Sequence, residues 1–244
     1  MQAQLRHSCA RRMRVPALAV LLLFVAAAGA AGAQSRNLAP GFSALPKNAR
    51  IAVLPTDIEL FSLSAGGIPE PKADWTAAAN RYFKAALVEK KKSLGATPID
   101  VSDRDADDIA EVTALHAAIA RSIEMHHFGP GFLHLPTKEG KLDWSLGEPA
   151  RVIKEKTGAD YALFTWIRDS YASAERVATI VVLAAFGIIG GGGGVQLGYA
   201  SLVDLNTGQV VWFNRLQRGR GDLREPAKAA ETLDSLLNDF PSAK

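Results

Sequence analysis

The chain has 244 residues, 48% of them hydrophobic, enough to bury a core and too apolar to be disordered as a whole. Four of its 28 basic residues (Arg6, Arg11, Arg12, Arg14) and none of its 25 acidic ones precede residue 34. The chain from residue 34 onward is therefore near neutral, which excludes a general nucleic-acid binder, because that function needs a net basic face.

The first 33 residues have the parts of a secretory signal. A basic region ends in Arg11-Arg12-Met13-Arg14. An apolar run extends from Val15 to Ala28, and Ala31-Gly32-Ala33 offers a small-x-small cleavage site. The run is shorter than the roughly 20 residues a membrane span needs, so 1–33 is expected to be removed and the remainder to be periplasmic. The one cysteine, Cys9, lies before the apolar run, so the exported part has no disulfide, thiolate metal site or thiol nucleophile.

Residues 34–49 lack periodicity and read as a linker to a single domain over 50–240. Arg50 to Pro55 is a short apolar strand closed by proline. Residues 56–73, with Gly66-Gly67 and prolines 69 and 71, read as a loop. Asp74 opens a helix in which Trp75, Ala78, Ala79, Tyr82, Phe83, Ala86 and Leu87 recur at helical spacing. It is expected to end near Leu94-Gly95, with Lys90-Lys91-Lys92 complementing the helix dipole.

Thr97 to Val101 reads as an edge strand and 105–127 as a second helix, stopped by Gly129-Pro130-Gly131. Residues 132–147 are irregular, and Glu148 to Lys156 is a short helix ended by Gly158. Asp160 to Arg168 is the clearest strand. Gln196–Leu205 and Gln209–Leu216 form a hairpin about Asn206-Thr207-Gly208, and a last helix spans 222–239. An alternating start and a later antiparallel hairpin predict an α/β (α+β) fold: a mixed sheet of about five strands covered by helices.

The segment 177–194 interrupts this plan. From Val177 to Ile189 only Thr179 is polar, and Gly190, Gly191, Gly192, Gly193 and Gly194 come next. The glycines match neither the dinucleotide nor the Walker spacing, so no nucleotide or other cofactor is expected. Three readings fit: a buried core segment with a flexible turn, an apolar flap that docks on a membrane or another subunit, and half of a membrane-inserting hairpin formed on oligomerisation. In the second, Phe186, Ile188 and Ile189 make the contact and Gly190–Gly194 are the hinge.

No catalytic constellation is found, and the chain is expected not to be an enzyme. His126, His127 and His134 are the clustered metal-capable side chains, but adjacent helical positions and an intervening Gly-Pro-Gly do not bring them to one face. They define the alternative of a metal-dependent periplasmic hydrolase. Asp103, Asp105, Asp107 and Asp108 lack the glycine and terminal glutamate of a calcium loop and read as a solvated turn. Asp57 and Glu59 come after the first strand without a catalytic partner in the sequence. His116, between Val112 and Ile119, reads as a hydrogen-bonded core histidine.

Arg50-Ile-Ala-Val-Leu-Pro55, Gly158-Ala-Asp-Tyr-Ala-Leu-Phe164 and Leu202-Val-Asp-Leu-Asn-Thr-Gly-Gln-Val-Val-Trp212 resemble an envelope group: the periplasmic domains of CsgG, the amino-terminal domain of TolB and the LpoB-like lipoproteins. The resemblance spans about residues 50–240 and implies one compact α/β domain. It also implies a non-enzymatic role, in which the protein binds an envelope protein partner or assembles with itself. The chain departs from the group in having no lipobox cysteine. In CsgG-like proteins the position of 177–194 holds a membrane-spanning hairpin, but here the segment lacks the alternation of a barrel strand. A non-enzymatic envelope protein that binds protein partners and touches a membrane through 177–194 is the leading expectation. A CsgG-like secretion component is a further alternative.

Overall fold

The computed structural model describes residues 35–91, 96–101, 103–186, 194–219 and 221–243. In chain order the elements are β1 (Arg50–Val53), β2 (Asp57–Leu63), β3 (Pro69–Pro71), α1 (Ala73–Lys91), β4 (Thr97–Asp100), α2 (Asp103–Asp108) and α3 (Ala110–His126). They continue with α4 (Arg151–Thr157), β5 (Tyr161–Ala172), α5 (Ala174–Ala185), β6 (Gln196–Asp204), β7 (Val210–Arg218) and α6 (Pro226–Leu236).

The fold is the expected mixed α/β arrangement, organised on the long strand β5. One edge of β5 pairs antiparallel with β6, from Tyr161 opposite Asp204 to Asp169 opposite Gln196. The other edge is shared by two strands in succession. β1 pairs parallel with Tyr161–Leu163, and β2 pairs parallel with Trp166–Ala172. Leu54-Pro55-Thr56 is the break between them. β4 then pairs parallel with β1, and β3 antiparallel with β2. Seven strands thus make a sheet five strands wide.

Two segments differ from expectation. Residues 56–73 are not a loop. Ile58, Leu60 and Ser62 alternate inward as β2, and the prolines and paired glycines read as loop signals belong to the turn and to the short edge strand β3. Residues 36–49 are not a free linker. Ala39 and Leu45 are buried, and Asn37 and Ala39 bond Phe213 and Val211 along the outer edge of β7. Trp144 and Leu146 bond Val210 and Gly208, so the outer edge of the hairpin is covered from Gly208 to Phe213.

Side chains alternate between two cores, as a sheet covered on both faces requires. Tyr161, Leu163 and Ile167 point to the face where Ala79, Phe83 and Leu87 of α1 meet Ala229, Leu233 and Leu236 of α6. Ala162 and Phe164 point to the opposite face, against Ile109, Val112, Ala120 and Ile123 around α3 and against Ile153 of α4. The second predicted helix is broken at Ile109 into α2 and α3. Gly158 takes the left-handed conformation (φ 67°) that closes α4, as its position in sequence requires. The expected end of the first helix at Leu94-Gly95 lies outside the described residues.

Candidate functional site

The apolar segment begins as a regular helix. Ser173 caps α5: its hydroxyl accepts from the amide of Arg176 (3.2 Å), while its own amide bonds Leu63 at the end of β2. Arg176 lays its guanidinium against Gly67, and Thr179 donates back to the carbonyl of Glu175. After Arg176 no charged residue occurs until Asp204, a stretch of 27 residues.

No residue of α5 is buried. Ile180 and Leu183 are half-buried, whereas Val177, Val181 and Val182 are 49%, 63% and 56% exposed and Phe186 is 79% exposed. The buried-core reading of the segment fails for 174–186, because a core segment would remove these side chains from water. Of the three expected contact residues, Phe186 is exposed at the end of α5. Ile188 and Ile189 lie outside the described residues, as do Gly190, Gly191, Gly192 and Gly193. Gly194, expected as part of the hinge, is a packed contact: a Cβ there would lie 1.9 Å from the carbonyl oxygen of Ser170. Ser170 and Val195 then exchange backbone and hydroxyl hydrogen bonds, which return the chain to the sheet.

Beneath this return sits a polar network that no sequence motif announced. Asp169 and Gln196, opposite each other on β5 and β6, are 2% and 1% exposed. Gln196 donates to Asp169 Oδ2 (2.7 Å), and the hydroxyl of Tyr171 donates to the same oxygen. Arg218 Nε donates to Gln196 Oε1 (2.8 Å), and its other nitrogens reach Thr232 and Glu231 on α6. Arg224 pairs with Asp222 and lies over the rings of Tyr171 and Trp75. Burial raises the Asp169 carboxyl above its usual range, partly offset by its hydrogen bonds to Tyr171 and Gln196. The network ties β5, β6, β7 and α6 together at the root of the insertion, and every polar group in it is committed to a structural partner.

The histidines do not converge. His126 donates to the carbonyl of Leu133 (2.7 Å), His127 to that of Arg36 (2.8 Å) and His134 to that of Gly129 (3.0 Å). One nitrogen of each ring is thus committed to backbone. Among the described residues no group of three His, Cys, Asp or Glu side chains could hold a metal. His116 is the core histidine anticipated: it bonds Ser201, stacks on Phe164 at 3.7 Å, and burial lowers its pKa to about 3. Asp57 and Glu59 both pair with Arg168, which is a surface ion pair and not a pair of free carboxylates. No helix among the described residues is long and apolar enough to cross a membrane.

No protein-family model matches the chain, and no curated protein matches it. Among solved structures it is similar to the PelC dodecamer from Paraburkholderia phytofirmans (13% identity, TM-score 0.39, covering 85% of this chain and 95% of that one). It is also similar to the lipoprotein GNA1162 from Neisseria meningitidis (12%, 0.31, 79% and 99%). A third similarity is to the LpoB C-terminal domain from Salmonella enterica (13%, 0.28, 75% and 88%).

Proposed function

We propose that this chain is a non-enzymatic exported envelope protein that binds protein partners and rests α5 on a partner or on a membrane surface. The observation that carries the reading is the unburied apolar side of α5: Val177, Val181, Val182 and Phe186 face water on a helix with no charge after Arg176. An apolar surface of this kind has a stability cost unless something covers it. Ser173 bonds Leu63 of β2 at the start of α5, and Gly194 packs against Ser170 of β5 where the chain rejoins the sheet.

The test is co-sedimentation with liposomes, together with sizing by light scattering, for the wild type and for Val181→Asp/Val182→Asp. The expected result is association by the wild type, lost in the variant, with both proteins melting at the same temperature. Liposome binding would assign the surface to lipid, and self-association without liposome binding would assign it to protein. Association unchanged by the two aspartates would sink the proposal.

A further inference from the structure

The break between β1 and β2 has a second consequence. β4 covers the outer edge of β1 only as far as Asp100, and β3 covers β2 only from Phe61 onward. Between them, among the described residues, no strand pairs the outer edge of Leu54-Pro55-Thr56. Helix α1 runs across this notch and closes it into a cleft of about 610 Å³, within the range of about 300–1,000 Å³ typical of ligand sites. The cleft opens at the carboxyl ends of the parallel strands β1 and β4, where open α/β sheets place their ligands.

Its lining is divided by chemistry. Val53, Leu54, Phe83 and Leu87 are buried and form an apolar floor. Arg81 and Lys84, one turn apart on α1, stand exposed at the rim. Neither has a carboxylate partner among the described residues; Arg81 only touches the hydroxyl and ring of Tyr82. Farther along α1, Lys90 is paired to Asp234 and Lys91 to Asp100. Among the described residues Asp100 is the one acid on the cleft wall, and it is engaged by Lys91. Thr56 Oγ1 accepts a hydrogen bond from the Thr165 hydroxyl (2.8 Å), which leaves its own O–H to donate into the cleft.

We propose that this cleft binds an alkyl-chain anion, with the chain on the Val53–Leu54–Phe83–Leu87 floor and the carboxylate or phosphate head between Arg81, Lys84 and the Thr56 hydroxyl. The apolar floor alone would accept a neutral chain, and the two cations alone a bare anion. Their adjacency selects a molecule with both parts. The site is separate from α5 and does not depend on the role proposed for that helix.

The test is calorimetric titration of the purified protein with octanoate and with octyl phosphate, beside octanol and inorganic phosphate. At least one octyl anion should bind saturably with one site per chain and at least tenfold more tightly than octanol or inorganic phosphate. The preferred head distinguishes a fatty acid from a phospholipid-like source. Arg81→Glu/Lys84→Glu should weaken that binding tenfold or more with no change in melting temperature, while Lys141→Glu, an exposed lysine elsewhere, should leave it unchanged. No saturable binding of either octyl anion, equal binding of inorganic phosphate, or full binding by the double variant would overturn the assignment.

Discussion

Helices α5 and α6 show how little composition alone decides. α5 is the more apolar, with Glu175, Arg176 and Thr179 its only polar residues, yet none of its residues is buried. α6 alternates lysine, glutamate and aspartate with its apolar residues, yet Ala229, Thr232, Leu233 and Leu236 are all buried. The difference is what each helix meets: α6 lays its apolar stripe against α1 and the sheet, whereas α5 packs only Arg176, Ile180 and Leu183 part-way and leaves the rest of its side chains in water. Placement on the sheet, and not apolar content, therefore decides which helix contributes to the core.

The most direct challenge to this contrast is the same substitution on both helices. Leu233→Asp should destabilise the protein by about 4 kcal/mol, since it buries an unpaired carboxylate, and Val181→Asp should change stability by less than about 0.5 kcal/mol. Urea denaturation of both variants checks this, and comparable losses would mean that α5 is part of the core.

Gly194→Ala probes the junction between the apolar segment and the sheet. The added methyl has no room against Ser170, so a loss of about 2 kcal/mol is expected in the same assay. A neutral result would mean that the return of the chain is loose.

Titration separates the two regions in acid. His116 is neutral in the fold, with its pKa lowered from 6.5 to about 3, so its contribution is complete above pH 6.5 and lost as pH falls toward 3. Stability should drop by about 2 kcal/mol between pH 7 and pH 5, and His116→Leu should abolish that drop. Asp169 acts in the opposite sense. Its raised pKa makes the folded state gain relative stability as pH falls from above the folded pKa toward 3.8. In a His116→Leu background, Asp169→Asn should remove this smaller slope. Val181→Asp/Val182→Asp should leave the pH 5–7 slope as in the wild type, because the slope belongs to the buried region alone.

Much of the fold was legible in the sequence. The run Tyr161 to Arg168, the Asn206-Thr207-Gly208 turn and the glycine stop at Gly158 each carry their structure in local chemistry. β2 did not, because Phe61 and Leu63 point outward and blur the alternation of Ile58, Leu60 and Ser62, and Pro69, Pro71 and the paired glycines dominate the segment. The strap at 36–49 was illegible for a different reason: its partners, Val211 and Phe213, lie more than 170 positions away. At the candidate site, Phe186 stood out by composition, but whether it is buried or exposed was left open by the sequence, because an apolar run fits a core segment as well as a flap. The Asp169–Gln196–Arg218 network was not legible, since its members are brought together only by strand register.

The division of one edge of β5 between β1 and β2 also bears on how the chain reaches this state. β1 meets its β5 partners only after about 110 residues of intervening chain, and β2 after a similar interval. β5, β6 and β7 lie close together in sequence and can pair early. A chain delivered amino end first therefore holds two strands, Ile51–Val53 among them, each with one edge unpaired until β5 arrives. During that interval their open edges are the part of the molecule most exposed to pairing with a neighbouring chain.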